Sequence, residues 1–576
     1  FNKVRRMKYQ FIKKYPTIWL YLFFFFFSGT FQLFLYVSNY SGFSGLRESL
    51  IFCSLPLIPI LLWPKKVKVL AAVLGIPMLI GAWASLGYWM IYGQEFSQSA
   101  IFIIFESNMA ESYEFVISYI RWWHVFVFIV FSIIPIFIWK GIQPITMSAP
   151  KRYALAVLFL LMSVWPAINT GLIKGAGYDE GFYHLMKRME PAVPWNLVFG
   201  YTKYKAQLAA MQNLLDKNSH IPPLSEFSES KPENIKTLVL VIGESTNRER
   251  MSLYGYPRKT TPKLDELREE LYVFNDVITP RPYTIEALQQ VLSFADPRNP
   301  EDFLLKPTLL NMMKQAGYDI SWITNQQTQT RRNTMLTTLS KMADHQIYLN
   351  NNRSQNASQY DEAVISPFVG VLNTDAKKKL IVIHLLGTHR KYAYRYPPTY
   401  DHFSTAEGAP PWIGQDILEE YNCYDNAILY NDYVVSTLIE ELKKTQENSA
   451  LVYLSDHGEE VFDTSSHLFA GRDEANPLPA MYTIPFMIWA SPTYKIENET
   501  NLWPRYETRP YTSADFIYTW ADIAGIKFKE MDQSRSILSE HFTSRSRWIG
   551  NPDVQKSLKD YSTVIEKTTD KLVLKM

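Results

Sequence analysis

Five long apolar segments in the first third of the chain constrain its fold more than any other feature. They cover residues 16–37, 49–63, 68–91, 122–139 and 152–170. Most of them approach the ~20 residues that an α-helix needs to cross the hydrocarbon core of a bilayer. Their centres hold no Asp, Glu, Lys or Arg, the groups on which transporters and proton pumps depend. We therefore expect residues 1–170 to form an α-helical membrane domain with five spans that anchors the rest of the chain.

Basic residues are distributed unevenly between the two ends of these segments. Twelve of them lie before the first segment, between the second and third, or between the fourth and fifth, all on one side of a membrane crossed five times. The other loops hold only Arg47 and Arg121. The twelve are Lys3, Arg5, Arg6, Lys8, Lys13, Lys14, Lys65, Lys66, Lys68, Lys140, Lys151 and Arg152. Because Lys and Arg concentrate on the cytoplasmic side of a membrane, the N-terminus is expected in the cytoplasm. Five spans then place the long C-terminal part on the opposite side.

Residues 237–576 have the pattern of a soluble α/β domain. Apolar runs predict strands over residues 237–242, 271–278, 319–324, 379–386, 451–455 and 484–490. Amphipathic segments predict helices over residues 262–270, 284–294, 306–316, 359–373, 416–446 and 513–524. Strands that alternate with helices favour a mostly parallel sheet that is covered on both faces.

Residues 171–236 are predicted to connect the two halves. Residues 201–215 mix Lys with apolar side chains at helical spacing, which is typical of a helix in the membrane interface or of a packed surface helix. Residues 218–236 are rich in Pro and Ser and are predicted to form a linker.

Net charge and cysteine content narrow the possible functions. A formal net charge of +2 gives no reason to expect a nucleic-acid partner. The chain has 2 cysteines, Cys53 in an apolar segment and Cys423 in the soluble half, so no disulfide is expected.

Two predicted strands run directly into acidic residues. The strand at 451–455 is followed by Asp456 and His457, and the strand at 237–242 is followed, after one glycine, by Glu244. Ligands of open α/β sheets bind at the carboxyl ends of strands, so one site built from both ends is expected. Two carboxylates and an imidazole suit a borderline divalent ion such as zinc. The alternative is an ordinary pair of hydrogen-bonded strand ends.

Thr284 is the candidate nucleophile. It stands where a loop turns into a predicted helix, and the free backbone N–H groups at a helix start bind phosphate well. A hydroxyl that meets zinc is readily deprotonated and can then act as a nucleophile. Alternatively, Thr284 is only a helix cap, or the nucleophile is Ser245 or Thr279.

Three further positions are candidates for substrate binding. His389 follows the predicted strand at 379–386, and His467 follows the Asp-His pair. Both could reach the same edge of the sheet and bind phosphate or a second metal, or they could be ordinary surface histidines. The acidic loop that contains Glu111 is either solvated or contacts a lipid head group.

Three motifs together resemble the lipopolysaccharide phosphoethanolamine transferases of Gram-negative inner membranes, most closely the CptA/EptC branch. The motifs are Val-Ile-Gly-Glu244-Ser-Thr-Asn-Arg248, Tyr-Asp425-Asn426-Ala-Ile-Leu-Tyr430-Asn-Asp432 and Ser-Asp456-His457-Gly-Glu459. The resemblance extends over the whole chain, including the five-helix anchor. Each motif alone is common, but the set is highly specific.

The resemblance implies an alkaline-phosphatase/sulfatase-like periplasmic domain with a zinc site. The zinc ligands that it implies are Glu244, Thr284, Asp456 and His457. Thr284 would carry phosphoethanolamine covalently. The substrate-binding residues that it implies are His389, His467, Glu111 and Asn325. Of these, the two histidines would contact the phosphoryl group or an additional zinc, and the glutamate would meet the ethanolamine amine.

The expected reaction transfers phosphoethanolamine from phosphatidylethanolamine to a lipopolysaccharide acceptor, with a core sugar expected, through a phosphoethanolamine–threonine intermediate. The protein is expected to be a monomer in the bacterial inner membrane, with a cytoplasmic N-terminus and a periplasmic catalytic domain. Two enzymatic alternatives are a phosphoglycerol transferase of the lipoteichoic-acid-synthase type and a metal-dependent phosphodiesterase. A membrane protein that keeps the fold without catalysis is a third alternative.

Overall fold

The computed structural model describes residues 15–92, 96, 121–231, 236–326, 334–350, 358–474, 476–552 and 558–565. Glu111 and the basic residues ahead of the first apolar segment lie outside these ranges, so their roles stay predictions. The chain divides between Ala209 and Ala210 into two compact units. This division falls within the helix Trp195–Ser219, and the domain boundaries at residues 170 and 236 stay predictions.

Among its described residues, the first unit contains five helices that are long and apolar enough to cross a membrane. They are Pro16–Val37, Phe43–Leu62, Pro64–Met90, Trp122–Lys140 and Ala149–Ile173. The second is broken between Phe52 and Leu57, where Pro56 has no N–H to continue the helical hydrogen bonds. Only 11% of the most apolar 18-residue stretch of Trp122–Lys140 is buried within the protein, as expected for a helix whose surface faces lipid. Two further helices follow, Tyr178–Met189 and Trp195–Ser219.

A seven-stranded sheet forms the centre of the second unit as the structure describes it. Its strands, numbered here along the chain, are β1 Thr237–Gly243, β2 Leu271–Val273, β3 Asp319–Thr324, β4 His345–Tyr348, β5 Lys379–His384, β6 Ser449–Ser455 and β7 Phe486–Ala490. Their spatial order is β2-β7-β6-β1-β5-β3-β4. β7 pairs antiparallel with β2 and β6, whereas the other neighbours pair in parallel. The prediction of a mostly parallel sheet is confirmed.

Apolar cores lie on both faces of this sheet. In β1, Leu238, Leu240 and Ile242 belong to one core, whereas Val239 and Val241 belong to the other. A strand that is buried on both faces needs an apolar residue at every position, which explains the continuous apolar run in the sequence. The helices of this unit include Pro262–Glu266, Thr284–Val291, Asp302–Leu305, Leu309–Gln315, Thr334–Lys341, Ile365–Leu372, Gln415–Lys444, Pro492–Glu497 and Phe516–Ala524.

The strand register brings three strand ends together at one edge of the sheet. Gly243 at the end of β1 pairs with Ser455 at the end of β6, and Ile242 pairs with His384 at the end of β5. The residues that follow these positions therefore lie side by side. This carboxyl edge is where ligands bind to open α/β sheets.

Candidate metal and nucleophile site

Glu244, Asp456 and His457 form a compact cluster at this edge. All three have 0% of their surface exposed, and one ligand atom from each lies within 4.8 Å of the others. Nε2 of His457 is 3.2 Å from Oε1 of Glu244 and 3.4 Å from Oδ2 of Asp456. Two carboxylates and an imidazole nitrogen that face one another in this way can hold a divalent metal ion.

Thr284 adds a hydroxyl to this cluster. Its Oγ1 donates to Oε2 of Glu244 at 3.0 Å and lies 3.3 Å from Nε2 of His457. Thr284 is the first residue of its helix, and the capping position belongs to Tyr283. Because the hydroxyl faces the cluster and the cap is another residue, the interpretation of Thr284 as only a helix cap is wrong.

The two rival hydroxyls, those of Ser245 and Thr279, are less accessible. Both residues are fully buried, whereas Thr284 is half-buried. Oγ of Ser245 donates to Glu244 at 2.9 Å, and Oγ1 of Thr279 donates to the carbonyl of Arg281 at 3.1 Å. Of the three, Thr284 combines contact with the cluster and a surface that a substrate can reach.

Hydrogen bonds around the cluster leave suitable atoms for a metal. Oδ1 of Asp456 accepts from the backbone N–H groups of Ser245 and His457, at 3.1 and 2.7 Å. Oδ2 of Asp456 is buried and has no hydrogen-bond donor among the described residues. Nδ1 of His457 lies 2.8 Å from the carbonyl of Gly458, and a proton on Nδ1 would leave the Nε2 lone pair for a metal. This set of donor atoms fits zinc.

The charges of the cluster also favour a bound cation. Burial and the nearby Glu244 carboxylate raise the pKa of Asp456 to about 8. Although burial would raise the pKa of Glu244 too, the hydrogen bond and charge of His457 hold it well below its ordinary value. Two buried carboxylates this close together cannot both ionise without a positive partner, and a divalent ion would supply that charge.

Two glycines allow backbone to approach the cluster closely. A Cβ on Gly387 would lie 2.8 Å from the N and O atoms of Glu244, and Gly387 has φ +54°. A Cβ on Gly458 would lie 2.1 Å from the carbonyl oxygen of Ala480. Side chains at these positions would push the residues of the cluster apart.

Two residues that sequence reasoning missed also contact the cluster. Nε2 of Gln326 donates to Oε2 of Glu244 at 3.0 Å. Nη1 of Arg472 lies 2.6 Å from Nε2 of His457. Gln326 comes just after β3, so the rule about strand ends could have indicated it as well as its neighbour Asn325. Arg472 lies in a loop, and no local pattern indicates its position.

The predicted substrate-contacting residue Asn325 lies in a buried hydrogen-bond network. Its Nδ2 donates to Asp361 at 2.8 Å, and its Oδ1 accepts from Gln359 at 2.9 Å. Both ends of the amide are thus used by protein groups. A role for Asn325 in binding the substrate stays a prediction.

The two predicted phosphate-binding histidines are not part of the group of described residues that could hold a metal ion. His389 is half-buried, and desolvation lowers its pKa to about 4, so its ring is neutral near pH 7. His467 is exposed, and its ring lies against Phe469. Their contacts with substrate stay predictions.

The second sequence motif supports the loop that follows β1. The hydroxyl of Tyr424 donates to the carbonyl of Ser245 at 2.7 Å. Asp425 forms ion pairs with Arg250 at 2.7 Å and with Arg258 at 2.8 Å, and all three side chains are buried. The motif therefore contributes to the site by holding the backbone next to Glu244.

Known proteins share this architecture and sequence. A sulfatase family model matches residues 236–526. The chain is 47% identical over 552 residues to the phosphoethanolamine transferase EptC of Escherichia coli strain K12, which covers 95% of each chain. Identity and coverage are the same for the phosphoethanolamine transferase CptA of Salmonella typhimurium strain LT2.

A solved structure resembles the second half of the chain. It is a crystal structure of the C-terminal periplasmic domain of EcEptC from Escherichia coli in complex with Zn. The two are 51% identical with a TM-score of 0.58, over 60% of this chain and 97% of the solved one. Together with the sequence identity over nearly the full length, this establishes that the chain belongs to the phosphoethanolamine transferases of the EptC/CptA type.

Proposed function

We propose that the chain transfers phosphoethanolamine from phosphatidylethanolamine to a lipopolysaccharide acceptor, a core sugar, through a covalent intermediate on Thr284. The observation that carries this proposal is the Thr284 hydroxyl, which donates to Glu244 at 3.0 Å at the accessible side of a buried cluster. A hydroxyl in this position can attack a phosphorus atom bound beside it and hold the transferred group.

The cofactor proposed is zinc, held by Glu244, Asp456, His457 and Thr284. The Zn complex of the EcEptC domain supports this choice. So do Oδ2 of Asp456, which has no hydrogen-bond donor among the described residues, and the hydrogen bond that orients His457. When bound, zinc would lower the pKa of the Thr284 hydroxyl and offset charge on the phosphoryl group.

In the first half of the reaction, Oγ1 of Thr284 attacks the phosphorus of phosphatidylethanolamine, and Oε2 of Glu244 receives the hydroxyl proton. The bond from phosphorus to the diacylglycerol oxygen breaks, and that oxygen takes the proton from Glu244 as diacylglycerol leaves. In the second half, an acceptor hydroxyl attacks phosphorus and gives its proton to Oε2 of Glu244. The bond to Oγ1 breaks, and Thr284 regains a proton from Glu244. Backbone N–H groups at the start of helix Thr284–Val291 would stabilise charge on the phosphoryl oxygens.

The membrane half suits a reaction between two lipids. Its five apolar helices would tether the catalytic half to the bilayer in which donor and acceptor reside. The protein is proposed to be a monomer in the inner membrane, with a cytoplasmic N-terminus. The catalytic half would lie in the periplasm, as does the similar EcEptC domain, which is a C-terminal periplasmic domain.

Trapping of the covalent intermediate tests the proposal. Purified full-length protein in detergent is incubated with phosphatidylethanolamine labelled in its ethanolamine group and analysed by mass spectrometry. We expect the label on the peptide that contains Thr284, no label in Thr284→Ala, and slower labelling in Thr284→Ser. Normal labelling of Thr284→Ala would remove Thr284 from the nucleophile role.

Two further measurements separate the alternatives. Labelling from phosphatidylglycerol instead of phosphatidylethanolamine would indicate a phosphoglycerol transferase. Release of free phosphoethanolamine as the main product, with or without acceptor, would indicate a phosphodiesterase. Mass spectrometry of lipopolysaccharide from cells with and without the protein would identify the acceptor.

A further inference from the structure

Arg472 lies against the cluster in a position that suits a phosphate ligand. It directly follows the short strand Ala470–Gly471. Its Nη1 is 2.6 Å from Nε2 of His457 and 3.7 Å from Oε1 of Glu244. The side chain is only 14% exposed, so the guanidinium group is held at the site rather than in solvent.

Glu459 fixes the other side of this guanidinium group. Nε of Arg472 forms an ion pair with Oε2 of Glu459 at 3.2 Å. The second carboxylate oxygen accepts from the hydroxyl of Tyr392 at 3.0 Å, and Glu459 is fully buried. A buried carboxylate that is held in this way sets the orientation of its cationic partner. The Nη1 end of Arg472 is thereby directed toward His457.

Nε2 of His457 cannot serve Arg472 and a metal ion at the same time, because it has one lone pair. With that lone pair given to a metal, Arg472 loses one contact but keeps the ion pair with Glu459. Oγ1 of Thr284 lies 3.3 Å from the same nitrogen atom. The Arg472 N–H groups that no longer donate to His457 therefore stay beside the Thr284 hydroxyl, which receives the phosphoryl group.

We propose that Arg472 binds the nonbridging oxygens of the phosphoryl group, in the donor lipid and in the intermediate on Thr284; this inference rests on the proposed function. A planar guanidinium group can donate two parallel hydrogen bonds to a phosphate. Its charge offsets the negative charge that grows on the phosphoryl oxygens during displacement. Arg472 is then a catalytic residue, whereas Glu459 and Tyr392 are positioning residues.

The experiment uses zinc-loaded full-length protein in detergent, with labelled phosphatidylethanolamine as donor and inorganic phosphate as a competing probe. Arg472→Gln should lower kcat/KM for labelling of Thr284 by about 100- to 1000-fold. It should also weaken inhibition by phosphate at least about tenfold, with zinc content unchanged. Arg472→Lys should recover part of the rate, because a point charge replaces the fork of donors.

Arg268→Gln is the matched control. Arg268 also pairs with a glutamate, Glu507, at 2.8 Å. Arg268 lies just before β2. Leu271, the first residue of β2, pairs with Trp489, which in turn pairs with Leu451 near the start of β6. Arg268 is therefore near the end of the sheet opposite the site, which follows the carboxyl end of β6. Its loss should leave labelling rate and phosphate inhibition unchanged.

Unchanged phosphate inhibition in Arg472→Gln would overturn the inference. A loss of zinc that parallels the loss of labelling would also overturn it, because Arg472 would then only support the metal site. Should Arg472→Gln fail to fold, Arg472→Lys decides: phosphate inhibition equal to wild type contradicts the paired hydrogen bonds. Failure of the proposed function itself is a separate result, since wild-type protein would then give no labelled Thr284.

Discussion

The hydroxyl of Tyr424 joins the two backbone groups that follow the candidate metal ligand Glu244. It donates to the carbonyl of Ser245 at 2.7 Å and accepts from the N–H of Asn247 at 2.9 Å. Ser245 has φ +59°, a left-handed conformation that residues other than glycine seldom adopt. One tyrosine on the helix Gln415–Lys444 thus holds the turn that presents Glu244 to the site.

Tyr424→Phe should therefore unfold at a lower temperature and bind zinc more weakly. The change leaves the buried N–H of Asn247 without its partner, which costs about 1–3 kcal/mol in the free energy of unfolding. Loss of support behind a metal ligand typically lowers affinity about 10- to 100-fold. Thermal unfolding and zinc competition with a chelator measure the two effects. Tyr318→Phe is the control, since the buried Tyr318 hydroxyl has no hydrogen-bond partner among the described residues; equal losses in both variants would contradict the argument.

Removal of the metal should abolish labelling of Thr284 and lower Tm. Without a cation, the buried side chains of Glu244 and Asp456 cannot both ionise, and the stabilisation that the bound ion provides is lost. A ligand present at 100 times its Kd contributes about 2.7 kcal/mol to the stability of the state that binds it. Dialysis against a chelator and readdition of zinc test both effects. The Tm of Glu244→Gln should change little when zinc is added. A wild-type Tm that does not change when the chelator is added would exclude a structural metal at this site.

A methyl group at Gly387 should disrupt the site, although it is a small change. The Cβ of Gly387→Ala would lie 2.8 Å from backbone atoms of Glu244 and would occupy a residue with φ +54°. We expect weaker zinc binding and at least about 1 kcal/mol lower stability. Gly370→Ala is the matched control, because its Cβ would have no atom within 4 Å apart from the neighbouring residues and the backbone of its own helix, Ile365–Leu372. This second change should be neutral or stabilising; zinc loss in both would indicate a general effect of the methyl group.

Much of the central sheet follows from the sequence because its inner strands are buried on both faces. The segment 319–324 is a strand with the predicted bounds, and the strand predicted over 237–242 extends by one residue to Gly243. β4, His345–Tyr348, was missed because it is a half-exposed edge strand with polar residues and lacks an apolar run. The strand predicted over 271–278 is interrupted, since the N–H of Asn275 donates to the carbonyl of Glu507.

Some residues of the candidate site can likewise be predicted from the sequence, and others cannot. Glu244, Asp456 and His457 follow the ends of adjacent strands, so a local pattern was enough to predict that they meet. Gln326 follows the end of β3, so the same rule applies to it, whereas Arg472 reaches the cluster through tertiary packing. Arg472 lies 15 positions after its contact His457, and no spacing rule gives the path of the loop and short hairpin between them.

Gln326 should be required for the position of Glu244. Its amide donates to Oε2 of Glu244 at 3.0 Å and to the carbonyl of Leu385 at 2.8 Å. Gln326→Leu removes these donors and should lower zinc affinity about tenfold or more. Gln346→Leu is the control, because the amide of Gln346 donates to the carbonyl of Ala343 in the edge region of the sheet. Equal zinc affinity in Gln326→Leu and wild type would contradict this role.

Asp432 should make stability depend on pH. Its carboxylate accepts from the N–H groups of Leu264 and Lys263, at 2.8 and 3.0 Å, yet burial raises its pKa to about 7 from an ordinary value of 3.8. Between these values the folded protein binds a proton that the unfolded chain does not. The free energy of unfolding from this group therefore falls as pH rises from about 4 to about 7, by up to about 1.4 kcal/mol per pH unit. Asp432→Asn removes the titration, so wild type should lose stability relative to the variant across this range in thermal or urea unfolding. Parallel curves would show that the two backbone donors keep Asp432 ionised throughout.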